Sequence, residues 1–266
     1  MFNVKLYPFL TSASLKTIFT HPAVQNARKK YLKTGMATFQ NFLTKEAITE
    51  AVSESKNETG ETIECFVTDT MHNVYLLPQD PSFSNSHIRN KLLNTKVASI
   101  AGDELPKSGV LLSVYQDPRV IALVQAVTGV ENLHLSDDPL GKCSINVFKK
   151  GWAHGFHFDE SEFSTTIMLQ KPEAGGVFQY TDRLRKSDSQ MVYEQVEKVV
   201  ENEEGVSDLV FEPGTLSVFS GRYSQHRVTD VVGEIDRLVA VLTYAQKEGY
   251  RNSPEVQRMF WGRSAQ

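Results

Sequence analysis

The segment Gly155-Phe156-His157-Phe158-Asp159, followed downstream by Gln225-His226-Arg227 and Arg237, limits what this chain can fold into more than any other part of it. A His-x-Asp pair with one distant His is the ligand set of the facial triad of two histidines and one carboxylate, which leaves positions open on a non-haem Fe(II). Side chains at i and i+2 of a strand share a face, so His157 and Asp159 can hold one ion from a single strand. His226 must then come from another strand, across the mouth of a barrel. Residues 163–170 (FSTTIMLQ) read as a strand rich in β-branched and apolar residues. Residues 215–219 before His226 and 237–244 after it read the same way, with Gly233 as the turn between.

A His-x-Asp pair is common by chance, and a lone His in an apolar strand is more often a core residue. The order of features is what distinguishes this one: His-x-Asp, a strand, Gly175-Gly176, a helix, Pro213-Gly214, a strand, His226, Arg237, a strand. Arg237 suits the distal carboxylate of 2-oxoglutarate, because a guanidinium offers an always-charged, two-pronged donor. The competing reading is a surface pair with Glu234 or Asp236.

At 266 residues the chain can bury one sizeable core, so residues 1–266 read as a single domain. Residues 1–65 would form a mainly helical support and 143–250 the metal-binding β core. The net charge of −4, with no basic cluster beyond Arg28-Lys29-Lys30, argues against nucleic acid. Two cysteines, Cys65 and Cys143, are too few for a disulfide framework and fit a reducing, cytoplasmic setting. The N-terminal stretch carries Pro8 and no clear cleavage site, so it does not read as a signal peptide. No apolar run is long enough to span a membrane.

Along the chain, residues 13–34 read as a helix capped by Ser12 and stopped by Gly35. Residues 37–43 read as a strand, and Thr44 caps a helix to Ser53. A polar loop at 57–61 precedes a strand at 67–77 and a loop at 78–86. Residues 89–98 and 117–127 read as helices, 144–149 as a strand and 188–202 as a polar helix. Helices first and strands later imply an α+β chain: a double-stranded β-helix (jelly-roll, cupin-like) core on N-terminal helices.

Most of the chain from about residue 65 resembles the BesD-like Fe(II)/2-oxoglutarate-dependent oxygenases, the hydroxylases and halogenases that act on free amino acids. The matching text is His157-Phe-Asp159-Glu-Ser-Glu-Phe163, Leu169-Gln-Lys-Pro-Glu-Ala-Gly-Gly176, Glu212-Pro-Gly214, Gly221-Arg222, His226-Arg-Val-Thr229 and Phe260-Trp-Gly-Arg263. Earlier come His72-Asn-Val-Tyr75, His87-Ile-Arg89 and Asp138-Pro139-Leu140. The resemblance implies Fe(II) on His157, Asp159 and His226, with 2-oxoglutarate anchored by Arg237 and O2 as second co-substrate. It also implies substrate contacts from His154, Glu160, Arg89, Thr243 and Trp261. The chain departs at Ile88, where the family often has Pro, and at Phe156, where Trp is expected; both bear on the substrate and not on the metal.

The triad and Arg237 together with this resemblance imply a dioxygenase that hydroxylates an unactivated C–H bond of a free amino acid or close derivative, with small molecules as its partners. In the halogenases of the group a small residue replaces the carboxylate and chloride takes the vacated position, so Asp159 favours hydroxylation. Desaturation, cyclisation or halogenation on the same scaffold is the alternative. A non-catalytic cupin-like binding protein is the alternative from another class.

Overall fold

The computed structural model describes residues 9–10, 20–209 and 211–265. The expected Ser12 cap and the first turns of its helix lie outside the described residues. Helix α1 (His21–Thr34) ends on Gly35, whose φ of 75° suits glycine, and β1 (Met36–Phe39) follows. Helix α2 (Lys45–Ser53) starts as the sequence predicts, with the Thr44 hydroxyl accepting the Ala47 N–H at 3.1 Å. Next come β2 (Phe66–His72), β3 (Leu93–Ile100), α3 (Val110–Gln116) and α4 (Pro118–Thr128). Asp117 caps α4 by accepting the Arg119 N–H at 2.7 Å, and Gly129 ends it.

The second half is mostly strand. It holds β4 (His134–Leu135), β5 (Cys143–Phe148), β6 (His154–His157), β7 (Ser164–Gln170), β8 (Ala174–Gly175) and β9 (Phe178–Thr181). Helix α5 (Tyr193–Asn202) leads to β10 (Val206–Leu209), β11 (Leu216–Phe219), β12 (His226–Val228), β13 (Val231–Val232), β14 (Arg237–Leu242) and β15 (Tyr244–Ala245). Helix α6 (Pro254–Trp261) closes the described fold, capped by Ser253.

Eleven strands make one curled antiparallel sheet in the order β1-β11-β7-β14-β5-β3-β6-β12-β9-β10, with β2 also paired to β3. Strand β3 joins its two halves, pairing with β5 through Ala98–Ile100 and with β6 at Thr95. This is the double-stranded β-helix expected from the sequence.

Period-2 alternation divides the two faces. On β14, Leu238, Ala240 and Leu242 face the main apolar core, which includes residues of α1 to α4, while Arg237, Val239 and Val241 line an internal cavity. On β5, Cys143, Ile145 and Val147 face that core, and Ser144, Asn146 and Phe148 face the cavity. Each strand thus packs into the main core on one side and builds a site on the other.

Several boundaries differ from the sequence reading. Residues 89–98 do not form a helix: 93–100 is β3, paired along its length with β2 and along parts of its other edge with β5 and β6. Those partners come from elsewhere in the chain, and strand formation there depends on them more than on local pattern. Strands therefore do not wait for the second half, and β1 lies within the segment expected to be mainly helical. Helix α3 was not anticipated, β2 stops at His72 and not at 77, and α5 begins at Tyr193 and not at 188. Among the described residues, no single helix is long and apolar enough to cross a membrane.

Candidate metal centre

His157 ends β6 and His226 begins β12, and the two are partners in one antiparallel register. The second histidine therefore comes from the adjoining strand and not from across a barrel mouth. Asp159 lies past the end of β6, so the ion would not be gripped from a single strand as i and i+2. Tertiary bonds bring it back: the Asp159 N–H donates to the Gly221 carbonyl at 3.0 Å, and the Phe158 N–H to the Val74 carbonyl at 2.9 Å. Phe158 is buried beneath the Arg185 guanidinium, 4.2 Å from its ring centre. With these anchors, Asp159 Oδ1 stands 3.4 Å from His157 Nε2 and 3.3 Å from His226 Nε2. Among the described residues, these three form the one group of His, Cys, Asp or Glu side chains gathered closely enough to share a metal ion.

Both imidazoles have a fixed tautomer. His157 Nδ1 donates to the Gly155 carbonyl at 2.8 Å, and His226 Nδ1 donates to the Ser224 carbonyl at 3.0 Å. A carbonyl only accepts, so in the neutral ring the free lone pair sits on Nε2, the nitrogen turned to Asp159. Without a metal, burial would raise the Asp159 carboxyl, but the charge of a protonated His226 and hydrogen bonds donated by the Nε2 side of both rings hold it well below the usual carboxylate range, and Asp159 in turn raises His226 against burial; a metal ion would take the place of those Nε2 protons. Burial, then the nearby His226, lowers His157. Two imidazole nitrogens and one ionised carboxylate oxygen converge on one point, and that donor set fits a divalent transition ion such as Fe(II).

The three side chains line a cavity of about 240 Å³. Arg237 lines it too and is only 2% exposed. Its Nε donates to the Gly176 carbonyl at 2.8 Å, and its guanidinium lies 5.3 Å from the Phe148 ring centre. A Cβ on Gly176 would come within 2.9 Å of Arg237 Cδ, and the φ of 56° there also favours glycine. No carboxylate among the described residues forms an ion pair with Arg237. Glu234 pairs with Lys150 instead, and Asp236 accepts from the Thr62 hydroxyl. Burial lowers the Arg237 pKa to about 10, which leaves it cationic at neutral pH. A buried charge without a partner is costly, and an anion that entered the cavity would relieve it.

The other candidates divide. His154 lines the cavity with its ring stacked on His157, centroids 3.9 Å apart; burial and the neighbouring His157 and His72 keep it neutral. Glu160 is exposed at the cavity wall. Thr243 lines it with its hydroxyl donating to the Gly141 carbonyl at 2.7 Å. Trp261 lines it with Nε1 buried and without a partner among the described residues. Arg89 is buried but is not among the lining residues, and its Nη1 has no partner among the described residues.

The sequence reading overlooked Ser144, Asn146, Tyr250 and Asn252, which also line the cavity. The polar-apolar alternation of Ser144-Ile-Asn146-Val-Phe148 was a usable signal for the first two. Tyr250 and Asn252 lie in irregular chain before α6, where no period marks a side chain as inward. Asn252 is fixed by the fully buried Asp138, which accepts from Asn252 Nδ2 at 2.6 Å, Asn252 N at 3.1 Å, Gln257 Nε2 at 2.9 Å and Leu140 N at 2.9 Å.

Comparison with known proteins gives three findings. The family described as Halogenase D matches residues 84–260. No curated protein matches. Among solved structures, an oxidoreductase of the 2OG-Fe(II) oxygenase family from Burkholderia pseudomallei is similar with 17% identity over 86% of this chain and 94% of that one, TM-score 0.54. HygX from Streptomyces hygroscopicus, with nickel and 2-oxoglutarate bound, is similar with 14% identity over 91% and 96%, TM-score 0.58. The epimerase SnoN from nogalamycin biosynthesis is similar with 12% identity over 85% and 81%, TM-score 0.58. At these identities the likeness is one of fold.

Proposed function

The chain belongs to the Halogenase D family, and from that premise we propose that it is an Fe(II)/2-oxoglutarate-dependent dioxygenase hydroxylating an unactivated C–H bond of a free amino acid or a close derivative. One observation carries this reading: a single cavity holds two imidazoles, an ionised carboxylate and a buried guanidinium that lacks an acidic partner among the described residues. When bound, Fe(II) and 2-oxoglutarate supply the activation of O2 for attack on carbon, with the co-substrate converted to succinate and CO2.

The chain's own residues supply ligation, orientation and exclusion of water. His157, His226 and Asp159 hold the metal, each imidazole presenting Nε2 because its Nδ1 is tied to backbone. Arg237 holds the distal carboxylate of 2-oxoglutarate with a charge that burial leaves unspent. Phe178, Phe211 and Phe219 line the cavity and limit water. The substrate meets His154, Thr243, Glu160 and Trp261, and their placement decides which carbon is presented. Arg89 is buried and is not among the lining residues, so the reading does not rely on it. The whole chain acts as one domain, with its metal-binding core in 143–250.

Halogenation, the activity in the family's description, needs a place for chloride beside the metal. Asp159 supplies a negatively charged oxygen to that place, so a second anion is opposed by charge and by volume. The test is a panel of free amino acids with Fe(II), ascorbate and 2-oxoglutarate, scored by succinate and by substrate mass. Coupled gain of one oxygen atom supports the reading; turnover of peptides or apolar substrates alone overturns it.

A further inference from the structure

The two oxygens of Asp159 have different surroundings. Oδ1 is turned to both imidazoles. Oδ2 accepts the Ser164 hydroxyl at 2.5 Å. Oδ2 also lies against Gly221: a Cβ built there would sit 1.9 Å from Oδ2 and 2.6 Å from Cγ. Gly221 is not among the glycines of positive φ, so its backbone does not require glycine. The three atoms nearest to such a Cβ all belong to the Asp159 side chain.

The surrounding chain makes this contact firm. Ser164 opens β7 and is paired with Phe219 of β11, so the sheet fixes where its hydroxyl starts. The Gly221 carbonyl accepts the Asp159 N–H, Arg222 donates to the Glu160 carbonyl, and the Ser224 carbonyl accepts His226 Nδ1. One turn, from Ser220 to Gln225, thus sets both Asp159 and His226.

We propose that Ser164 and Gly221 are positioning residues that hold Asp159 as a one-oxygen ligand, with Oδ1 offered to the metal and Oδ2 withheld by the Ser164 hydroxyl and confined by the Gly221 backbone. A one-oxygen carboxylate and two imidazoles leave three positions of a six-coordinate ion open; a two-oxygen carboxylate would leave one fewer. The proposal rests on the metal centre described above.

The test uses Co(II), followed by its visible absorption, on the full chain and five variants, one of them Asp159→Gly alone. Ser164→Ala is expected to weaken Co(II) binding about 10–100-fold and to change the absorption band, since loss of an outer hydrogen bond to a ligand typically has that effect. Ser164→Thr, which keeps the hydroxyl, is expected to bind as the unaltered chain does. Gly221→Ala is expected to lower the melting temperature of the metal-free protein. Adding Asp159→Gly should return most of that loss, because the clashing carboxylate is gone. If Gly221→Ala does not fold, folding of the double variant supports the proposal and its failure to fold opposes it. Ser164→Ala binding Co(II) with unchanged affinity and spectrum, or additive effects of the Gly221 and Asp159 changes, overturns the positioning roles alone. No Co(II) uptake by the unaltered chain would overturn the metal centre itself.

Discussion

His157 and His226 are register partners on adjoining antiparallel strands, their ring centroids lie 4.2 Å apart, and each gives its Nδ1 proton to a carbonyl two residues upstream. The pair is preset before any ion arrives. His226→Ala should therefore remove a ligand without disturbing the sheet. We expect loss of metal and of turnover, with the far-ultraviolet circular dichroism unchanged. Full activity in that variant would mean that the ligand assignment is wrong.

Arg237→Lys keeps the charge and loses the two-pronged donor. The expected cost in 2-oxoglutarate binding is about 1.5–3 kcal/mol, the range for a hydrogen bond to a charged group. Isothermal titration of the metal-loaded enzyme measures it. Arg222 and Arg227 are poor substitutes, because Arg222 is engaged with Asp188 and the Glu160 carbonyl, and Arg227 with Gln179 and Glu203.

With Asp159 in place, the product should carry one added oxygen and no halogen, even at high chloride. Asp159→Gly should weaken metal binding when chloride is scarce and recover part of it as chloride rises. Mass spectrometry of the product and a metal titration across chloride concentrations check the two statements. A chlorinated product from the unaltered enzyme would refute the assigned role of Asp159.

Glu54 gives the fold a pH dependence away from the cavity. Burial is the main cause that pushes its carboxyl up to about 7, against the opposing backbone N–H of Val110 at the start of α3. Because the folded value exceeds the unfolded one, its contribution is fully present below pH 4.5 and is lost as pH rises through about 7. Glu54→Gln, uncharged throughout, should flatten the fall in melting temperature between pH 4.5 and about pH 7. An equally steep fall in both proteins would rule out Glu54 as its source.

Asp138 ties the Leu140 turn, Asn252 and Gln257 of α6 together. Asp138→Ala would leave those donors buried and unpaired, at roughly 1–3 kcal/mol for each left unmade. Since Asn252, Phe260 and Trp261 line the cavity, the KM for the prime substrate should rise more than that for 2-oxoglutarate. Equal changes in both constants would argue against a local wall effect.

The residues most legible in sequence were those whose chemistry is carried by type and spacing together. His157, Asp159, His226 and Arg237 are found from their order, and all four meet in one cavity. Helix ends are legible at Thr44 and Gly35, where a cap or a left-handed glycine acts within one turn. Strand β3 is not, because its partners lie on β2, β5 and β6, and a residue such as Thr95 has meaning only beside them. Asp159 is named by its spacing from His157, yet it lies past the end of β6 and its approach depends on the Gly221 carbonyl. Arg89 was chosen by likeness, and nothing local to it could tell that its guanidinium is absent from the cavity lining.

The alternation of β5 and β14 has a consequence for how such an enzyme can change over generations. Ser144, Asn146, Val239 and Val241 line the cavity, whereas Ile145, Val147, Leu238 and Ala240 belong to the main apolar core. Exchanges in the first set can alter ligand preference while the second set keeps the fold intact, so novelty and stability draw on different residues of the same strands. A one-residue insertion within either strand would exchange the two sets beyond that point. Variation in this lineage should therefore accumulate as substitutions on the inward positions, and length changes should be confined to the connections between strands.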